Sequence, residues 1–163
     1  MIQLLFSEVR FTALATTPVL VLKELAGERV LPIWTSSAGG AGIVSALEPE
    51  SESHPSTHDL LIESLASQDA VIESVRITGC VDGLYTAEIS VNGSAVTCRP
   101  SDGVALALRC GAQLFVTEQV MISYGVAPDF VPEAGVEGEA DEVRQFREFL
   151  ANVKADDFDN PDA

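Results

Sequence analysis

The sequence predicts a single compact α/β domain of the α+β kind. Its sheet is mixed and largely antiparallel, includes a three-stranded meander and is flanked by helices, and an amphipathic helix follows at the C-terminus. Three observations predict this. Two tight-turn dipeptides, Asp82-Gly83 and Asn92-Gly93, separate alternating runs at residues 71–78, 84–91 and 95–98. Capped helical stretches precede and follow that meander. The 163 residues are 47% apolar and 21% charged, which suits one buried core and not a disordered chain.

The elements follow in order. Residues 3–11 alternate as a strand, with Leu5, Val9 and Phe11 on one face and Glu8 and Arg10 on the other. The β-branched run 19–22, the turn Leu25-Ala26-Gly27-Glu28 and the run 30–34 make a hairpin. Pro32 cannot donate to a ladder, so its strand belongs at an edge or a bulge. Residues 36–47 form a helix capped by Ser36 or Ser37. Gly39, Gly40 and Gly42 each weaken it by about 1 kcal/mol relative to alanine, so it needs tertiary packing or serves a close backbone approach. An acidic, serine-rich loop at 48–53 leads to a second helix from Pro55-Ser56-Thr57 to about Ser67. There Ser56 and Asp59 have capping-box spacing. After the meander, Pro100-Ser101-Asp102 opens a helix that Cys110-Gly111 closes. Residues 114–116 form a short strand and 118–124 a last helix of the domain.

This places the domain at 1–126. Residues 127–138, with Pro128, Pro132, Gly135 and Gly138, read as a linker. Residues 139–155 form the C-terminal helix, whose apolar stripe is Val143, Phe146, Phe149, Leu150 and Val153. That stripe fits docking on this domain or a neighbouring subunit better than recognition of a separate partner. Residues 156–163 are a frayed acidic tail.

Composition restricts function. The N-terminus meets Glu8 and Arg10 too soon for a signal peptide, and no apolar run approaches the ~18 residues of a membrane span. Cys80, Cys98 and Cys110 are odd in number and form no CxxC pair, which predicts reduced thiols and a cytoplasmic protein. The net charge of −16 opposes nucleic-acid phosphates. Residues from Asp129 onward carry 11 acids against 3 bases, half of that excess. A local basic pocket is still compatible with this charge, built from arginines such as Arg76, Arg99 and Arg109.

Two polar motifs fall at predicted helix N-termini, Thr57-His58-Asp59 and Arg99-Pro100-Ser101-Asp102. A helix N-terminus offers free N–H groups and a positive dipole end, so Thr57, Ser101 and the fork of Arg99 are candidate phosphate ligands. His58 is the candidate general acid or base, since histidine titrates near neutrality. Asp59 and Asp102 are candidates to orient it or to bind Mg²⁺ or Mn²⁺. Each residue also has a plain structural use. Ser56, Thr57 and Ser101 suit caps, both aspartates suit first turns, and Arg99 suits an ion pair with either. His54 and His58 are four apart, but Pro55 and the cap at Ser56 keep them off one helical face, against a zinc pair. There is no Walker loop, dinucleotide fingerprint or nucleophile elbow.

Taken in order, four segments resemble the bifunctional nuclease family: Val21-Leu22-Lys23-Glu24, Leu31-Pro32-Ile33-Trp34, Thr57-His58-Asp59-Leu60-Leu61, and Arg99-Pro100-Ser101-Asp102 with Val104-Ala105-Leu106-Ala107. The resemblance covers about residues 1–126, and Phe146-Arg147-Glu148-Phe149-Leu150 is similar to the C-terminal helix of some bacterial members. It implies an α/β domain with a mixed sheet, homo-oligomer formation with a dimer first in view, and activity on RNA and DNA. Three departures from the family pattern stand out. Gly39-Gly40 stands where the family usually reads Glu-Ala, His54 where it has arginine, and Gly103 where it has alanine. The function expected is metal-assisted hydrolysis of RNA or DNA phosphodiesters. The alternative is a non-catalytic oligomeric binding or regulatory module that keeps the scaffold, which the missing carboxylate at Gly39 favours.

Overall fold

The computed structural model describes residues 1–11, 17–48 and 54–130. The predicted C-terminal helix and tail, and most of the acidic loop, lie outside these residues. Seven strands form one sheet: β1 (Ile2–Arg10), β2 (Val19–Glu24), β3 (Val30–Trp34), β4 (Ile72–Val81), β5 (Leu84–Val91), β6 (Ser94–Cys98) and β7 (Gln113–Val116). Their order is β3-β2-β1-β7-β4-β5-β6. Only β4 and β7 pair in parallel, so the sheet is mixed and largely antiparallel, as the sequence predicts. Four helices accompany it: α1 (Ser37–Leu47), α2 (Thr57–Ala66), α3 (Pro100–Cys110) and α4 (Glu118–Tyr124).

The hairpin β2–β3 and the meander β4–β5–β6 form where their turn residues place them. Asp82 and Gly83 have φ of 51° and 78°, Asn92 and Gly93 of 46° and 77°, the paired positive values of a type I′ turn. Pro32 sits on β3, an edge strand. Strand β1 differs from the simple alternation. Its register against β2 shifts between Phe6 and Glu8, so a bulge at Ser7 exchanges the faces. Ile2, Leu4, Phe6 and Val9 therefore pack toward the core, while Leu5 and Phe11 are exposed.

The insertion of β7 between β1 and β4 positions the helices. To reach that slot from the edge strand β6, the chain crosses the sheet as α3. The helix buries Val104, Ala105, Leu106 and Ala107 against Val75, Ile77, Ala87 and Ile89 of β4 and β5. Gly103 makes the approach possible, because a Cβ there would stand 2.6 Å from Val75 Cγ1. Helix α1 packs on α3, with Ile43 fully buried, and α2 packs on α3 from the other direction. No residue of α2 is fully buried, so its place depends on polar contacts more than on core burial. Residues after α4 return to β3, where Val126 and Val30 exchange two backbone bonds of 2.9 Å. Pro128–Phe130, at the start of the predicted linker, forms a single 3-10 turn.

Candidate functional site

The N-termini of α2 and α3 meet. Ser56 caps α2 and Arg99 occupies the N-cap position of α3, with Pro100 in its first turn. His58, in the first turn of α2, places Nε2 3.7 Å from Oδ1 of Asp102, in the first turn of α3. That is an ion-pair separation, longer than a hydrogen bond. Arg99 holds the same carboxylate with two prongs, Nε to Oδ2 at 2.6 Å and Nη2 to Oδ1 at 2.9 Å. The pair raises the Arg99 pKa through its hydrogen bond to Asp102 and keeps it cationic. Arg99 is 68% exposed, so the outer edge of its guanidinium faces solvent, while His58 and Asp102 are 23% and 28% exposed. A cation, an imidazole and the carboxylate between them thus share one accessible junction at two positive helix ends.

The floor of this junction is the backbone of α1. A Cβ at Gly42 would stand 3.1 Å from Cε1 of His58, so the ring rests on the glycine. Farther up α1, a Cβ at Gly39 would stand 2.5 Å from Thr35 Oγ1 and 2.7 Å from Ser101 Oγ. Any side chain at this position, including the acid expected from the resemblance, would require Thr35 or Ser101 to shift. Ser101, read from sequence as a phosphate ligand or a cap, does not take the N-cap position. It is 4% exposed beneath Gly39 and lies inside the helix, while Arg99 takes the N-cap position without a side-chain cap bond. Thr57 is exposed at the first position of α2.

Asp59 faces a different set of partners. Its Oδ2 accepts from the backbone N–H of Ser56 at 3.0 Å and from the Ser56 hydroxyl, and its Oδ1 accepts from Arg109 Nε at 3.0 Å. The Ser56 hydroxyl is the main cause that holds its pKa below the usual carboxylate range, with Arg109 adding to it. Arg109, 9% exposed, also donates to the carbonyls of Gly42 and Ala105 at 3.1 Å and to Ser45 Oγ at 3.3 Å. One guanidinium therefore ties α1, α2 and α3 together around the junction. Sequence reading identified Arg109 only as a basic residue, because its partner lies 50 residues away with no local pattern to announce it.

The three arginines do not form one basic pocket. Arg76 lies between the inward-facing Val75 and Ile77, on the opposite face of the sheet, with Nη2 3.9 Å from Glu88. The two carboxylates considered for a metal do not fit a resident divalent ion. Asp59 is engaged by Ser56 and Arg109, and Asp102 by Arg99. No group of three or more His, Cys, Asp or Glu side chains suited to a metal occurs among the described residues. Cys98, under Gly103, has its thiol pushed up to about 11 by burial and then by the charge of Asp102, which argues against a nucleophile. No helix among the described residues is long and apolar enough to cross a membrane.

Comparison with known proteins adds to this geometry. The profile of a family described as the bifunctional nuclease domain matches residues 20–129. Two uncharacterized proteins of Mycobacterium tuberculosis, from strains CDC 1551 / Oshkosh and ATCC 25618 / H37Rv, are each 36% identical over 144 residues. Those alignments cover 86% of this chain and 88% of each relative.

Proposed function

This chain belongs to the bifunctional nuclease domain family, and from that premise we propose that it hydrolyses phosphodiester bonds of RNA or DNA where α2 and α3 meet. The observation that carries the reading is the shared carboxylate of Asp102, with His58 Nε2 3.7 Å from Oδ1 and Arg99 forked on both oxygens. A substrate phosphate binds the outer edge of Arg99 and the N–H groups at the start of α2, beside the exposed Thr57. Asp102 faces the imidazole and holds it in one orientation. His58 takes the proton of the attacking water or returns one to the leaving oxygen, moving nearer to its partners once substrate is bound. Asp59 positions α2 and stays out of the chemistry. Neither carboxylate is free for a metal in this arrangement: Arg99 forks Asp102, and Ser56 and Arg109 hold Asp59.

The test is cleavage of labelled single-stranded RNA and DNA by the purified full chain at low salt, with Mg²⁺, Mn²⁺ or EDTA. His58→Ala and Asp102→Asn, each checked for folding by circular dichroism, should lose about 100-fold or more, the range for an acid–base group. Activity that survives in both variants would sink the assignment of the site. A wild type no more active than the variants in every metal would leave the second reading, a binding module on the family scaffold. Gly39 favours that reading, since a carboxylate at its position would require Thr35 or Ser101 to shift.

A further inference from the structure

The two edges of the sheet are treated differently. At β3 the edge is protected, with Pro32 in mid-strand, four of five residues buried and Val126 paired to Val30. At β6 nothing among the described residues pairs with the outer side. Ser94, Ala95, Val96 and Thr97 are all exposed, and the strand Ser94-Ala95-Val96-Thr97-Cys98 has no proline, no charge and no bulge. Soluble proteins ordinarily blunt such an edge. We propose that β6 pairs with β6 of a second copy of this chain, antiparallel about a two-fold axis at Val96, so that two sheets become one.

The register follows from the turn. A two-residue type I′ loop makes the flanking residues Val91 and Ser94 a hydrogen-bonded pair, so Ser94, Val96 and Cys98 direct their backbone groups toward β5. The outward N–H and C=O groups within the strand belong to Ala95 and Thr97. A two-fold axis must pass through a residue opposed to its own copy. With Val96 there, Ala95 of each copy meets Thr97 of the other and all four outward groups of each strand are satisfied. Val96, which lies across from the core residue Ile89 yet is 49% exposed, then covers its own copy.

Charge supports the same partner and register. Two chains of −16 repel, and the uncharged strand is where they can approach at least cost. The register also brings Arg99, next after the strand, to the Asn92-Gly93 turn of the other copy. The Glu73 carboxylate lies at that turn, accepting from Gly93 N–H at 3.2 Å and Ser90 Oγ at 2.6 Å. This pairing is independent of the nuclease reading.

Sedimentation velocity of the full chain at tens of micromolar tests it. The expected mass is about twice 17.3 kDa. Thr97→Pro removes an outward N–H and no β5–β6 bond, and should give a folded monomer. In a Cys110→Ser background, Val96→Cys should form a cross-linked dimer on mild oxidation, because opposed Cβ atoms lie close enough for a disulfide. Ala95→Cys in that background, opposed to Thr97 of the other copy and diagonal to its own, should not. A monomeric wild type, the result if residues 131–163 of the same chain cover the strand, overturns the proposal. So does a dimer that survives Thr97→Pro, or a dimer in which Val96→Cys fails to cross-link.

Discussion

His58 and Asp102 are 44 positions apart in the chain and 3.7 Å apart in space, and each is legible in the sequence as polar chemistry at a helix start. Their meeting is not legible there, and neither is the glycine floor beneath them. Gly39 and Gly42 read from sequence as weak helix positions or as sites of close backbone approach; in the fold they are approaches to Ser101 and His58. The same holds for Gly103, whose missing methyl admits α3 onto Val75. At this scale the three thiols separate as well. Cys98 is partly buried with its pKa pushed up to about 11, while Cys110 is exposed. At pH 8, iodoacetamide should label Cys110 first, with Cys98 slower by more than tenfold, read by mass spectrometry of the peptides. Equal rates would mean that the N-terminus of α3 opens readily from the sheet.

At the scale of elements, α2 is held by a capping box and one buried arginine and has no fully buried residue of its own. Asp59→Asn should therefore cost about 2 kcal/mol in denaturant unfolding, from the weakened cap and the lost charge partner of Arg109. The pH dependence has a definite sign. The folded Asp59 pKa is lowered, so its stabilisation is complete above the unfolded carboxylate value of about 4 and drains as pH falls through the lower folded value. Stability of the wild type should fall in that acidic range, and Asp59→Asn should flatten the fall. An unchanged acid limb in the variant would show that other carboxylates dominate it. The capping box was readable from Ser56 and Asp59, three residues apart. The Arg109 clamp was not, because it joins three helices that only the crossing of α3 brings together.

Across the whole molecule, the acidity that argues against nucleic acid limits how it can bind. With Arg99 as the cationic contact of the proposed site, few counterions are released. The slope of log affinity for single-stranded RNA against log salt should be shallow, about −1, measured by anisotropy between low and physiological salt. A much steeper slope would require an extended basic surface, and Arg76 on the far face of the sheet shows how the described arginines are dispersed. Assembly belongs to this scale too. The proposed pairing through β6 joins two chains at their uncharged edge strand.

The sequence by itself determined the local elements: the hairpins at Asp82-Gly83 and Asn92-Gly93, the caps at Ser36 and Ser56, the stop at Gly111 and the edge position of Pro32. These depend on backbone conformations and periodicities set within a few residues. It also carried the family, because four short segments kept their order along one domain. Tertiary structure alone decided that β7 enters between β1 and β4, that a bulge at Ser7 turns Leu4 inward in place of Leu5, that Ser101 is buried and that Arg109 claims Asp59. Those outcomes depend on which distant surfaces pack together, and local patterns carry no record of partners fifty residues away.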